Sequence, residues 1–374
     1  MSQAPSDAQV PPTEQFVPTA SSGTVDDGTV SVIVVNWNGQ RFLDRCLSAL
    51  LAQTHRDFEI ILVDNGSSDD SVPFVKERFP SVRLVESPVN VGFAAGNNLG
   101  LGVAKGTFIA LLNNDAFPTP SWLESLLWAM QSDDAIGMCA STMVLASDPG
   151  RIDSAGIAVD VAGIAWDRLG GRPVTDTEDT VVEVFGPCAG AALYRRAMVE
   201  DIGFFDEDFF AYMGDVDLAW RAQWAGWRCV YVPEAVVHHV HSATGKEGSH
   251  FKNRLLGRNK VWLLCKDYPA SLWRLLLVWA YDLMAVGYAI ASGRGRGAVQ
   301  GRIEALGKVR RMLAKRRRIV RRVSTRAMVA KLHPVEQPLA VRRRYAHLGT
   351  AENGADRSPS PINRGVREVE KQDG

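Results

Sequence analysis

An α/β fold on a mostly parallel sheet is predicted by three observations. β-rich apolar runs alternate with helix-period segments from Thr29 onward; the first run, VSVIVV, is apolar but for Ser31; and successive strand ends carry polar clusters. A near-continuous apolar run suits a parallel strand covered on both faces, so Val30 to Val35 reads as the first strand. Arg41 to Gln53 follows as a helix, with Phe42, Leu43, Cys46, Leu47, Leu50 and Leu51 spaced by three and four into one stripe. Glu59 to Asp64 is the second strand, and NGSSDDS supplies turn and N-cap chemistry for a helix from Val72 to Phe79. VRLVES reads as the third strand, Asn97 to Ala104 as a short helix, and Thr107 to Asp115 as a fourth strand with polar residues at its end. In such a sheet, ligands sit at the carboxyl ends of the strands.

The segment Met143 to Glu183 holds short β-like pieces among Gly, Asp and Thr, which predicts loops and an antiparallel edge. CVYVP is a further short strand, followed by VVHHVHSAT. Leu272 to Ser292 is apolar and tryptophan-rich but interrupted by Arg274 and Asp282, and a basic helix is expected from Arg302 to Arg326. These boundaries give a disordered leader (1–28), a catalytic α/β domain (29–268), a helical basic region (269–347) and a disordered tail (348–374).

Composition narrows the partners. Of 374 residues, 46% are hydrophobic and 22% charged, as a globular chain with a large core requires. The formal net charge is zero, which removes any general argument for nucleic acid. Between Gly301 and His347, however, 15 residues are basic and 2 acidic, an asymmetry that marks a region meeting an anionic surface. The five cysteines are scattered without a CxxC pair, which fits a reducing cytosol. Residues 1 to 28, rich in Pro, Ser, Thr and acids, lack the basic start and apolar run of a signal peptide.

Candidate site residues lie at the strand ends: Asn36, Trp37 and Asn38 after the first, Asp64 and Asn65 after the second, Asn113, Asn114 and Asp115 after the fourth. Each cluster alone has the chemistry of an ordinary turn or cap. Three at one edge of one sheet point to a ligand site.

With these residues in place, the chain resembles the family 2 glycosyltransferases of the GT-A fold, especially their rhamnosyltransferase-like branch. The resemblance runs from Val30 to Asn259 and rests on VSVIVVNWNG, ILVDNGSSDDS, NVGFAAGNNLG, LLNNDAFP, GPCAGAALYRR, FDEDFFAYMGDVDLAWRAQWAGW and VVHHVHSAT, in family order. It implies a Rossmann-like GT-A sheet with a C-terminal helical extension. A nucleotide-diphosphate sugar is the implied donor, dTDP-rhamnose or a UDP-sugar, and Mg²⁺ or Mn²⁺ the implied cofactor.

The roles implied by the resemblance are these. Asp64 holds the nucleobase edge, its other reading being a cap for the next helix. Asn36, Asn38 and Asn65 line the base and ribose, and Trp37 either stacks or packs. Asn97 or Asn98 bonds ribose or phosphate beyond the glycines of NVGFAAGNNLG. Asn114 and Asp115 form the DXD-type element, with Asp115 as the metal ligand, and His239 joins the metal or the diphosphate. Arg258, beside Asn259, meets phosphate. Asp215 is the catalytic base, in an element where Gly214 replaces the family's usual Glu. A carboxylate there takes the acceptor hydroxyl's proton as the new bond forms on the face opposite the leaving diphosphate. Asp217 and Arg221, four apart, read as a structural ion pair.

For Leu272 to Ser292, Arg274 and Asp282 make a lipid-exposed span costly, at roughly 2.5–3.5 kcal/mol per central charge. An interfacial helix on the cytoplasmic face of the membrane, near a lipid-linked or polysaccharide acceptor, is the favoured reading. The alternative is packing against the core or a second subunit, which would make a homo-oligomer. Nucleotidyl transfer to sugar phosphates is disfavoured because NWNGQRF lacks the Gly-rich, Arg-bearing loop that reaction needs. A non-catalytic binding protein, suggested by Gly214 and the thinned metal element, is opposed by the presence of Asp115 and Asp215.

Overall fold

The computed structural model describes residues 28–240 and 249–335. The expected leader up to residue 27, the residues from His241 to Thr244 that end VVHHVHSAT, and everything from residue 336 onward lie outside the described residues.

The chain order is β1 (Val30–Asn36), α1 (Gln40–Leu51), β2 (Phe58–Asn65), α2 (Ser71–Arg78), β3 (Arg83–Ser87), α3 (Gly92–Leu101), β4 (Phe108–Leu112), β5 (Ala116–Pro118), α4 (Trp122–Gln131) and β6 (Ile136–Leu145). It continues through β7 (Asp148–Ser154), β8 (Ile157–Val159), β9 (Ala165–Asp167), β10 (Val182–Glu183), β11 (Ala191–Arg195), α5 (Arg196–Ile202), α6 (Gly214–Ala225) and β12 (Arg228–His239). Four helices close it: α7 (His250–Lys266), α8 (Leu272–Ala291), α9 (Gly295–Arg316) and α10 (Thr325–Ala330).

The main sheet runs β10-β12-β6-β11-β4-β1-β2-β3, with β1, β2, β3 and β4 parallel and β11 antiparallel between β4 and β6. The alternation of side chains along β1 explains its near-continuous apolar run. Val32 and Val34 join Leu43, Cys46, Leu47 and Leu50 of α1 on one face, while Ile33 joins Ile61 and Ala94 on the other. Each fully buried aliphatic side chain contributes roughly 1.5–3 kcal/mol relative to exposure.

Several expected boundaries move. The fourth strand stops at Leu112, because Ala116 N–H bonds back to the Asn113 carbonyl at 3.1 Å and turns the chain. Ala116 to Pro118 then forms β5, which pairs with β12. The helix expected from Asn97 begins five residues earlier, at Gly92, whose φ of +88° suits the entry turn. CVYVP and VVHH are one long strand, β12. The expected antiparallel edge between Met143 and Glu183 is present as β7, which pairs with β6.

The basic region is two helices, broken after Arg316 where the Arg322 and Val323 N–H groups both bond the Trp224 carbonyl. Part of its charge is spent on the protein itself. Lys308, Arg311 and Lys315 pair with Asp208, Lys315 also with Asp206, Arg302 with Asp282, and Arg322 with Asp201. A third apolar cluster joins Trp220 and Trp224 of α6 to Trp262 of α7, Ala305 and Met312 of α9, and Met328 of α10, so these helices share a core with α6.

The expected Asp217–Arg221 pair is present at 2.9 Å and buried, with Lys266 of α7 closing onto both Asp217 and Asp206. Burial alone would raise Asp206, but Lys266 and Lys315 hold it at about 2.

Candidate active site

The carboxyl ends of β1, β2 and β4 meet in one buried polar network. Asn36 and Asp64 are register partners on adjacent parallel strands. The Asn36 Oδ1 accepts from Asn114 Nδ2 at 2.7 Å, and its Nδ2 faces Asp64 Oδ1 at 3.4 Å and Ser67 Oγ at 3.3 Å. Gly39 lets the chain pass this close: a Cβ there would lie 2.0 Å from Asn114 Nδ2 and 2.5 Å from Asn36 Oδ1. Asp64 also accepts from Ser67 N–H at 3.0 Å, closing its own turn rather than capping the next helix. That helix, α2, begins at Ser71, whose N–H bonds Asp69 instead. Asn38, at φ +50°, accepts from Ser68 N–H at 2.7 Å.

The other expected donor-binding amides are tied to the scaffold. Asn65 holds the loop before α3, through Asn90, Val91 and Gly92. Asn97 is buried and donates to the Phe93 carbonyl one turn back. Asn98 brackets Phe205 by bonding both its N–H and its carbonyl.

Asp115 and His239 come together because β12 lies beside β5: His239 is the register partner of Ala116. The His239 Nε2 stands 3.2 Å from Asp115 Oδ1 and 3.3 Å from Asn113 Nδ2, while its Nδ1 is 2.6 Å from Asp153 Oδ2 on β7. Burial pulls the imidazole pKa down, but the bonds to Asp115 and Asp153 outweigh it and bring it to about 10. A carboxylate fixing one ring nitrogen leaves the other aimed at Asp115, the arrangement that metal-binding histidines use. An imidazole so held is protonated, so a divalent cation would bind Asp115 and His239 by displacing the Nε2 proton, with phosphate oxygens and water filling its other positions. Among the described residues no group of three or more His, Cys, Asp or Glu side chains is arranged to hold a metal by itself.

Asp215 stands in the first turn of α6, where a helix N-terminus favours a carboxylate. Burial raises its pKa above the ordinary range, opposed by the N–H groups of Ala189 at 3.3 Å and Val216 at 2.9 Å. Gly214 is buried, and a Cβ there would already press on the Phe205 ring at 3.3 Å. Burial raises the Cys188 thiol well above its ordinary range, as do the charges of Asp167, Asp215 and Asp153.

The loop leading into α6 is unusual. Phe210, Tyr212 and Met213 all have φ between 61° and 63°, the left-handed region that costs non-glycine residues roughly 1–3 kcal/mol each. Its neighbour on α7 is the Arg258–Asn259 pair. Arg258 Nη2 donates to the Phe209 carbonyl at 3.0 Å, its Nε to Asn259 Oδ1 at 3.0 Å, and its guanidinium lies 4.4 Å over the Trp262 ring. Its Nε and Nη2 are thus engaged with Asn259 and the loop backbone.

Two residues of this arrangement were not singled out from sequence for these roles, Asp153 and Asn259. Asp153 lies in the segment read as loops and an antiparallel edge, and an isolated Asp in RIDSAG carries no local signal of a role.

Residues 31–203 match the family model described as Glycosyl transferase family 2. The chain is 29% identical over 278 residues to the N-acetylglucosaminyl-diphospho-decaprenol L-rhamnosyltransferase of Mycobacterium tuberculosis, covering 66% of this chain and 87% of that protein. It is 31% identical over 218 residues to the pre-mycofactocin glycosyltransferase of the same organism, covering 57% and 43%. Among solved structures, GalNAc-T7 with UDP, GalNAc and Mn²⁺ superposes with a TM-score of 0.52 at 18% identity, covering 63% of this chain and 47% of that one, a likeness of fold.

Proposed function

We propose that this chain, which carries a family 2 glycosyltransferase domain on a GT-A fold, moves a sugar from a nucleotide-diphosphate donor to a hydroxyl of a lipid-linked or polysaccharide acceptor, with inversion. The observation that carries the reading is the pairing of Asp115 with His239 at 3.2 Å, with Asp215 half-buried in the first turn of α6. Asp115 and His239 would hold Mg²⁺ or Mn²⁺, whose charge stabilises the leaving diphosphate. Asp215, once ionised, accepts the acceptor hydroxyl's proton. The Asn36–Asp64–Asn114 network fixes the strand ends on which base and ribose would rest, Asp64 offering its carboxylate to the base. Asn65, Asn97 and Asn98 serve by shaping α3 and the loops around it, and Arg258 by bracing the acceptor-side loop. Similarity to a rhamnosyltransferase acting on a diphospho-decaprenol substrate favours rhamnose as the sugar and a polyprenyl-linked acceptor.

The C-terminal helices support a peripheral position on the inner face of the plasma membrane. α8 is long and apolar enough to cross a bilayer, yet Asp282 at its middle is drawn sideways to Arg302 of α9 at 2.7 Å and Lys260 of α7 at 3.1 Å. A helix tethered this way to the catalytic domain lies along a membrane rather than through it.

Donor binding is tested by thermal shift with Mn²⁺ and a panel of UDP, dTDP, GDP and CMP. A nucleotide at 100 times its Kd stabilises by about 2.7 kcal/mol, on the order of 5 °C or more for a domain of this size. The expected result is a metal-dependent shift with UDP or dTDP that Asp115→Ala abolishes. No shift with any nucleotide, in a folded protein, overturns the donor site.

A further inference from the structure

We propose that Asn259 is a positioning residue for sugar transfer, holding the loop Phe210–Met213 in the left-handed form that presents Asp215 to the acceptor; this rests on Asp215 being the base. Asn259 is fully buried on α7. Its single Nδ2 donates to three loop carbonyls, those of Phe209 at 3.0 Å, Ala211 at 2.8 Å and Tyr212 at 2.9 Å. Its Oδ1 accepts from Arg258 Nε at 3.0 Å, which fixes the amide's orientation, and Arg258 reaches the Phe209 carbonyl from the same side.

Phe210, Tyr212 and Met213, all at positive φ, turn the chain so tightly that the Phe209, Ala211 and Tyr212 carbonyls converge on one amide, the Phe209 carbonyl also accepting from Ala211 N–H and Arg258. The opposite side of the loop is fastened as well: the Phe210 carbonyl accepts from Ala94 N–H of α3 at 3.1 Å, and its ring leaves no room for a Cβ at Gly92, which would lie 2.5 Å away. Met213 then caps α6 directly, its carbonyl accepting from Asp217 N–H at 3.0 Å, so the loop's conformation sets where the first turn carrying Asp215 begins. The strain is local and its fastening comes from an element 47 to 50 residues later in the chain. Asn259 thus links the helices outside the sheet to the aim of the base.

The test is Asn259→Asp, which keeps size and replaces the donating amide by an oxygen facing three carbonyls, with Asn259→Ser as the milder variant should the first fail to fold. Three measurements are made on the full chain: steady-state transfer, calorimetric binding of UDP and dTDP with Mn²⁺, and hydrogen exchange of amides 209–217. The expected result is a fall in kcat of tenfold or more with donor KM and nucleotide affinity within twofold of wild type. Exchange accelerates at least tenfold in 209–217 while β1 and β2 stay protected. Wild-type kcat and exchange in a folded variant overturn the proposal, as does faster exchange spread evenly over the sheet. If the wild-type chain transfers no sugar, the glycosyltransfer reading fails by itself, and the exchange arm still decides whether Asn259 holds the loop.

Discussion

Asp215→Asn is expected to lower kcat by about 10²–10⁴-fold, the range that a positioned general base supplies, while raising the melting temperature at neutral pH. Both effects come from one fact. Asp215 is half-buried, and its desolvation raises the carboxyl above the ordinary range despite the N–H groups of Ala189 and Val216. A carboxylate whose folded pKa lies above its unfolded value costs stability once ionised. That cost is absent below the unfolded pKa, grows as pH rises toward the folded value, and is complete above it. Asparagine keeps the acceptor oxygen for Val216 N–H and never ionises, so its advantage in melting temperature should be largest near neutral pH and above, and vanish as pH falls to the ordinary carboxylate range. In activity the same raised pKa sets an acid limb: wild-type kcat falls as pH drops through it, at a pH above the usual carboxylate range, and the residual rate of the variant loses that limb. A variant with near wild-type kcat would remove Asp215 from the chemistry, and a lower melting temperature at every pH would make it a structural acid.

The sheet was legible in the sequence because its signals are local. Val30 to Val35 could not alternate and stay buried on one face only, and the three-four spacing from Phe42 to Leu51 admits little but a helix on that sheet. Asp115, His239 and Asp215 were found through motif resemblance, and the structure brings Asp115 and His239 together by strand pairing that no local pattern encodes. What stayed hidden depends on distant partners. Asp153 matters because β7 folds back on β6 and puts it against His239, 86 residues away. The basic run read as a surface-seeking segment, yet Asp206 and Asp208, about a hundred residues earlier, take up Lys308, Arg311 and Lys315. Net charge along a segment counts the cations but not the carboxylates that fold onto them.

Replacing Trp273, Leu276 and Trp279 together by Ser is expected to lower binding to anionic phospholipid vesicles by at least about 100-fold, since burying each large apolar side chain is worth roughly 1.5–3 kcal/mol. Only Val278 of α8 is buried, and Trp273 and Trp279 are 82% and 75% exposed. A water-facing surface of that kind is a docking face. What it docks on is suggested by α9, whose exposed stripe reads Arg296, Val299, Ile303, Leu306, Arg310 and Leu313 at three-four spacing and ends on Arg317 at the cap. Arginines bracket the apolar residues, as an amphipathic helix at an anionic headgroup layer requires. Sedimentation of the full chain with vesicles containing an acidic phospholipid, compared with neutral vesicles, separates the contributions: the Ser variant should fail on both, whereas Arg310→Gln with Arg317→Gln should weaken only the acidic case, and more so at low salt. The exposed face lies away from Asp282, which stays bonded to Arg302 and Lys260, so the fold and nucleotide binding should survive all these changes. Wild-type protein that ignores both vesicle types and instead runs as a dimer dispersed by the Ser variant would assign the face to a second copy of the chain. Binding that follows the apolar residues and the arginines together would put the acceptor-side loop and Asp215 on a body held at the membrane surface, where a polyprenyl-linked sugar presents its hydroxyl.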